Sequence, residues 1–242
     1  MIVACIPAFN EEKAIAGVVR KARRFVDTVV VCDDGSSDNT AAIAESFGAI
    51  IVKHSRNMGK GTALVNLFET SRKLGAKAIV TLDGDGQHDP SDIPNVLRPV
   101  LEGSADISVG VRFNGNNQEF IPSYRIIGNR LVTILANFGS DSPVSDTTCG
   151  FRAYSRRAVE GIRIFTRGMG VDSQILMDAR RKRFRIKEAQ VSVRYGADTS
   201  TLNPVQHFME LVTAIVSYRV RTALPRPLPF EILTRHHRIP RR

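Results

Sequence analysis

The chain has 242 residues, is 43% hydrophobic and carries a formal net charge of +10. That is enough for one large domain or two small ones with a real core. Three cysteines, Cys5, Cys32 and Cys149, give no metal-ligand spacing, and 7% aromatics with no tryptophan argue against nucleic acid as the basic chain's partner. Ile2–Ile6 is an apolar strand stopped by Pro7. Glu11–Phe25 has helical periodicity, with Ile15, Val18, Val19, Ala22 and Val26 on one face. Thr28–Cys32 is a second strand, and Asp38 caps a helix through Ala41, Ile43, Ala44 and Phe47. Ala49–Val52, Ala76–Leu82 and Asp106–Gly110 are further strands, separated by helices from about Lys60 to Leu74 and over Ser91–Leu101. Beyond Gly110 the alternation fades. Tyr124–Phe138, Asp172–Arg183 and Pro204–Thr222 read as helices, and Thr148–Tyr154 and Ile186–Tyr195 as strands. Pro225–Arg242 holds four prolines and is expected to be irregular.

Strands that are apolar throughout, alternating with helices, predict an α/β fold: a mostly parallel sheet covered on both faces. Crossovers in such a sheet are right-handed, and ligands bind beyond the carboxyl ends of the strands. Pro7–Glu11, Asp33–Asp38 and Asp83–Gln87 each follow a strand, so all three are expected at one rim. The third carries the densest chemistry. Asp83 and Asp85 are two residues apart at the end of an extended run, so their side chains point the same way. Gly84 and Gly86 allow a sharp bend and a close ligand approach. Paired carboxylates with open positions suit Mg²⁺ or Mn²⁺, which complete their shells with water and substrate phosphates. A polar turn is the simpler explanation of the same residues.

Other landmarks restrict the chemistry. Arg56-Asn57-Met58-Gly59-Lys60-Gly61 lacks the spacing of a Walker loop, and no Gly-x-Gly-x-x-Gly fingerprint follows a strand. A nucleotidyltransferase would want a Gly-rich basic loop after the first strand, where this chain has Pro7-Ala8-Phe9-Asn10-Glu11. Cys5 and Cys32 lie in apolar strands, as core thiols of a reducing compartment do. The sequence opens directly on a strand, so no signal peptide is expected. No apolar run reaches the ~18 residues of a membrane span. The positive charge is concentrated at the end: Arg219–Arg242 holds seven arginines against Glu231.

Taken in order, these segments resemble family 2 glycosyltransferases. The resemblance is carried by Pro7-Ala8-Phe9-Asn10-Glu11-Glu12, Asp33-Asp34-Gly35-Ser36-Ser37-Asp38 and Asp83-Gly84-Asp85-Gly86-Gln87-His88. Gly110-Val111-Arg112, Tyr124-Arg125 and Asp146-Thr147-Thr148-Cys149-Gly150-Phe151-Arg152 continue it. It is similar to the branch of polyprenyl-phosphate mannosyl- and glucosyltransferases. The resemblance implies a GT-A fold over residues 1–217, with a nucleotide half to about residue 112 and an acceptor half beyond it. A basic, membrane-proximal tail, 218–242, would follow. It further implies a nucleotide-sugar donor, a divalent metal (Mn²⁺ or Mg²⁺) and inversion at the anomeric carbon. By the same resemblance Pro7, Phe9 and Glu11 surround the nucleoside, and Asp34 bonds the base or ribose. Asp83, Gly84 and Asp85 form the metal motif, with Asp85 the more direct ligand and Gln87 a further one. Arg112 and Arg125 contact phosphate, and Lys60 would lie near the donor.

Simpler roles stand beside these. Glu11 suits a helix start, Arg112 a strand end and Arg125 the polar face of a helix. Asp172 matches the position where sugar-to-hydroxyl relatives carry their catalytic acid, yet Asp172-Ser173-Gln174 also suits a helix N-cap. The distinction matters because transfer to a hydroxyl needs a general base, whereas a lipid phosphate oxygen is already ionised. Tyr195-Gly196-Ala197-Asp198-Thr199-Ser200-Thr201 departs from the lipid-phosphate branch by lacking its lysine, which leaves room for a lipid-linked glycan acceptor. GDP-mannose is the expected donor and UDP-glucose the alternative. The amphipathic helices Tyr124–Phe138 and Pro204–Thr222, followed by arginines, suit the anionic surface of a membrane's cytoplasmic face. Transmembrane helices beyond Arg242 are compatible with that expectation.

Overall fold

The computed structural model describes residues 1–112, 123–193 and 204–223. The first half is the predicted alternation: β1 (Ile2–Ala8), α1 (Ile15–Ala22), β2 (Thr28–Asp33), α2 (Thr40–Ser46), β3 (Ile50–Lys53), α3 (Lys60–Lys73), β4 (Ala78–Thr81), α4 (Ile93–Leu101) and β5 (Ile107–Val111). The second half adds α5 (Ser123–Asn137), β6 (Arg152–Ser155), α6 (Arg156–Gly161), α7 (Val171–Arg181), β7 (Ile186–Gln190) and α8 (Pro204–Ala223). The seven strands form one sheet in the order β3-β2-β1-β4-β6-β5-β7. Pairing is parallel except for β6, which runs antiparallel between β4 and β5.

Two cores sandwich the sheet, as its apolar strands require. One packs α1, α2 and α4 on Ala4, Ile6, Val29, Val31 and Val80. The other packs α3, α6 and α7 on Val3, Cys5, Val30, Cys32 and Ile79. A satellite core joins α5, α7 and α8 through Val132, Ala136, Met177, Leu211, Ile215 and Tyr218. Beneath it lies the buried carboxylate of Asp178, which accepts from Tyr218 Oη (3.1 Å), Lys182 Nζ (2.6 Å) and the Arg163 amide (2.9 Å).

Several boundaries differ from those expected. The first helix starts at Ile15 rather than Glu11, because the amides of Glu11 and Glu12 donate to Thr40 Oγ1 and Asp38 Oδ2 in the neighbouring loop. Asp38 does act at the start of α2, where its Oδ1 accepts from the Thr40 amide. The strand expected over Thr148–Tyr154 begins only at Arg152, because 146–149 form a turn around the Asp146 carboxylate. The short α6 was not anticipated, although its cap is visible: Ser155 Oγ accepts from the Ala158 amide. Among the described residues no helix is long and apolar enough to cross a membrane.

Candidate active site

The rim is assembled by loop-to-loop hydrogen bonds. Ala8 is in register with Asp33 at the ends of β1 and β2. Asn10 then turns into the left-handed region (φ 57°), a conformation Asn tolerates better than most residues. Its amide donates to Ser36 Oγ and its Oδ1 accepts from the Ser37 amide. The loop after β4 lies against this pair. A Cβ added at Gly84 would come within 3.1 Å of the Ala8 Cβ and 3.4 Å of the Pro7 carbonyl, so the glycine lies close against the end of β1. Pro7, Phe9, Glu11, Asp34, Asp83, Gly84 and Asp85 therefore share one rim, with the Phe9 ring exposed.

The acids on this rim have different partners. Asp34 is buried and holds the 54–59 loop: Oδ1 accepts from the Met58 amide, Oδ2 from the Gly59 amide, each at 2.8 Å. His54 Nδ1 lies 2.6 Å from Asp34 Oδ1. The Asn66 side-chain amide faces His54 Nε2 at 2.7 Å, so both ring nitrogens of His54 have partners. Asp83 is ion-paired to Lys60 (Nζ to Oδ1, 2.7 Å). The same ammonium lies 3.0 Å from Oδ2 of Asp172, which is buried in the first turn of α7 and makes no capping bond. Lys60 thus faces two carboxylates at once. Burial alone would raise the Asp83 carboxyl; the Lys60 ammonium outweighs it and holds the group below the usual carboxylate range. Burial would lower the Lys60 ammonium, and Asp172 and Asp83 together hold it above its ordinary range.

Among the described residues Asp85 has no such ion pair. Its Oδ1 accepts from the Gln87 amide at 2.9 Å, closing the turn. Burial, then repulsion from Asp83, pushes its carboxyl up to about 6. Burial, then Asp85, Asp83 and Asp38, pushes Glu11 up to about 7. Two carboxyls whose negative charge is disfavoured by burial and by neighbouring acids are suited to a hard divalent cation, which compensates that charge. Among the described residues no group of three or more Asp, Glu, His or Cys could by itself hold a metal ion. A hard divalent cation held by one or two carboxylates takes its remaining ligands from phosphate oxygens and water. Gln87 sits on this turn, and its amide closes it.

The opposite wall is basic. Arg112, just past β5, grips Asp146 with two prongs (Nε to Oδ2 2.6 Å, Nη2 to Oδ1 2.9 Å) and also donates to Thr148 Oγ1. Asp146 is fully buried. Burial would raise its carboxyl, but Arg112 and the Thr148 hydrogen bonds bring it below the usual range. Behind this wall lies Arg152, fully buried, whose guanidinium donates to the carbonyls of Cys149 (2.7 Å), Asp172 (2.6 Å) and Thr147 (2.9 Å). His88 is buried beside Cys149, and desolvation drives its imidazole down to about 4, so it is neutral. Arg125 is in the first turn of α5, and its side chain lies outside the described residues, as do Arg194 and Tyr195–Thr201.

Residues 3–163 match the profile of Glycosyl transferase family 2. The chain belongs to that family and is a glycosyltransferase. Among the relatives of this glycosyltransferase, the UDP-N-acetylglucosamine–dolichyl-phosphate N-acetylglucosaminyltransferase of Methanococcus voltae is 30% identical over 217 residues, covering 81% of this chain and 86% of its own. The dolichyl-phosphate hexose transferase of Haloferax volcanii is 30% identical over 199 residues, covering 81% and 84%. Glucosyl-3-phosphoglycerate synthase of Mycobacterium tuberculosis, solved with Mn²⁺, UDP and phosphoglyceric acid, superposes with a TM-score of 0.70. It is 22% identical, covering 90% of this chain and 78% of its own. At that identity the likeness shows the shared GT-A fold. Two residues with defined places in this site have no such place in the sequence reading: His54 is not singled out, and Arg152 is only the last residue of a motif. For Lys60 the sequence places the side chain near the donor but does not show its bridge between Asp83 and Asp172.

Proposed function

We propose that this glycosyltransferase moves a hexose, with inversion, from a nucleotide diphosphate sugar to the phosphate of a polyprenyl lipid at a membrane surface, with Mn²⁺ or Mg²⁺ bound at Asp85. The observation that carries the proposal is the rim itself: Asp83 is ion-paired to Lys60, while among the described residues Asp85 and Glu11 have no ion-pair partner. Asp83, Asp85 and Gln87 are the metal-side residues, and the cation, once bound, supplies Lewis-acid stabilisation of the departing diphosphate. Pro7, Phe9 and Glu11 flank the nucleoside. Asp34 serves it at one remove, by fixing the 54–59 loop. Arg112, preset by Asp146, and Arg125 offer guanidinium donors to the diphosphate as charge builds on it. In the transfer, an acceptor phosphate oxygen bonds to the anomeric carbon. The bond from that carbon to the diphosphate breaks, and its electron pair leaves with the nucleoside diphosphate. Named relatives act on dolichyl phosphate, which supports this acceptor class. Thermal-shift titration with GDP-mannose, UDP-glucose and UDP, with and without Mn²⁺, tests the proposal and assigns the base.

A lipid-linked glycan hydroxyl is the competing acceptor, and Asp172 distinguishes the two. Its carboxylate is buried and ion-paired to the Lys60 ammonium at 3.0 Å, so it is already committed to a partner within the protein. Asp172→Asn is expected to keep turnover at saturating metal within about threefold of wild type. A loss of about 10²-fold or more would make it a general base and the acceptor a hydroxyl.

The membrane-facing surface is formed by α5 and α8. Ile127, Leu131, Ile134 and Leu135 form an exposed stripe on the first, extended by Phe138 just past its end, and Val205, Met209, Val216 and Val220 another on the second. Apolar patches of this kind on a polar rim are interaction surfaces. The arginines expected to face lipid are partly committed elsewhere. Arg219 donates to the carbonyls of Leu135 and Phe138 at the end of α5, and Arg221 lies 4.4 Å over the Phe165 ring. The remaining basic residues of Pro225–Arg242 lie outside the described residues. Vesicles containing anionic lipid are expected to sediment the chain more than neutral vesicles, and deleting Pro225–Arg242 to weaken this. Equal sedimentation with both vesicle types would contradict a lipid-facing role.

A further inference from the structure

We infer that Lys60 is an internal counter-ion that makes metal binding conditional on the donor diphosphate. The inference rests on the metal-dependent transfer proposed above. Four carboxylates, Glu11, Asp83, Asp85 and Asp172, gather at the rim or just behind it, and Lys60 is the ammonium placed among them. Its position is built in. Lys60 is the first residue of α3, and the next amide, Gly61, donates to the Arg167 carbonyl at 2.7 Å, which pins this helix start to the segment leading into α7. Gly150 leaves the space for the ammonium: a Cβ there would lie 2.8 Å from Lys60 Nζ and 3.0 Å from Asp83 Oδ2. Donor-side Asp83 and acceptor-side Asp172 are thereby joined through one cation.

The consequence is electrostatic. An ammonium 2.7 Å from Asp83 removes one of the two motif carboxylates from competition for a free cation and repels a divalent ion at the neighbouring acid. A bare metal then finds too little net negative charge. A nucleotide diphosphate adds its own anionic oxygens, and metal and nucleotide bind together. Removing the ammonium reverses this: the acids alone hold the cation, and the nucleotide's help is no longer needed. Removing Asp172 does the opposite, because Lys60 then pairs with Asp83 alone and neutralises it more completely.

The test is the affinity of the full chain for Mn²⁺, read by calorimetry or electron paramagnetic resonance with and without UDP. Lys60→Met is expected to tighten Mn²⁺ binding without nucleotide by about tenfold and to shrink the gain produced by UDP by a similar factor. Asp172→Asn, a near-isosteric change, is expected to weaken nucleotide-free Mn²⁺ binding by about threefold. It keeps the test decisive should Lys60→Met fail to fold. A merely structural lysine predicts weaker or unchanged metal binding on its removal. That result, or Asp172→Asn binding Mn²⁺ as well as wild type or better, overturns the inference. A wild-type chain that binds no Mn²⁺ even with UDP present contradicts the underlying metal-dependent mechanism instead.

Discussion

Asp85→Asn is expected to abolish Mn²⁺-assisted binding of nucleotide sugar and to lower turnover by at least about a hundredfold, the scale on which transition-state charge stabilisation is lost. It should do so without loss of stability at pH 7.5. The folded-state carboxyl of Asp85 is raised to about 6 by burial and by Asp83. A group raised in this way stabilises the fold when protonated, and that contribution is lost as pH rises through the folded value. At pH 7.5 Asp85 is therefore an ionised, repelled carboxylate. A neutral amide relieves the repulsion, and its oxygen still accepts from the Gln87 amide. Thermal denaturation should place the variant at or above the wild-type Tm. A Tm several degrees lower would mean that Asp85 serves the fold.

The second large effect concerns stability. Arg152→Met leaves the carbonyls of Thr147, Cys149 and Asp172 without the guanidinium that now satisfies them. Each buried orphan costs about 1–3 kcal/mol, offset in part because a cation no longer has to be desolvated. A net loss of about 3 kcal/mol lowers Tm by about 6–12 °C in a chain of this size. Because one guanidinium ties the Thr147–Cys149 turn to the start of α7, the loss also loosens Arg112's partners Asp146 and Thr148. Donor affinity should fall along with stability. Arg152→Lys, with its charge kept but its three-way fork lost, should be intermediate. A Tm within about 2 °C of wild type for Arg152→Met would refute this account of the loop.

What was legible in the sequence was whatever depends on local pattern. Val29–Cys32 and Ile79–Val80 are apolar at every position, and only a sheet covered on both faces buries such strands. That alone places the Pro7, Asp33 and Asp83 loops at one rim, where they are found in contact. The antiparallel sense of β6 was not legible, since an extended run such as Arg152–Ser155 looks the same in either direction. The ion-pair bridge was equally hidden: Lys60, Asp83 and Asp172 lie on three separate elements with no spacing relation, and only the packing of α3 against the segment before α7 unites them. Asp34 shows the complementary difficulty. Its place after a strand marks it as a rim carboxylate, but which N–H groups it meets depends on how the 54–59 loop folds back.

The most direct test of the central claim is isothermal titration of the wild-type chain with UDP-glucose and with GDP-mannose, each with and without Mn²⁺. At least one donor is expected to bind about tenfold or more tightly when the cation is present. A well-folded sample in which Mn²⁺ leaves the affinity for both donors unchanged would contradict it.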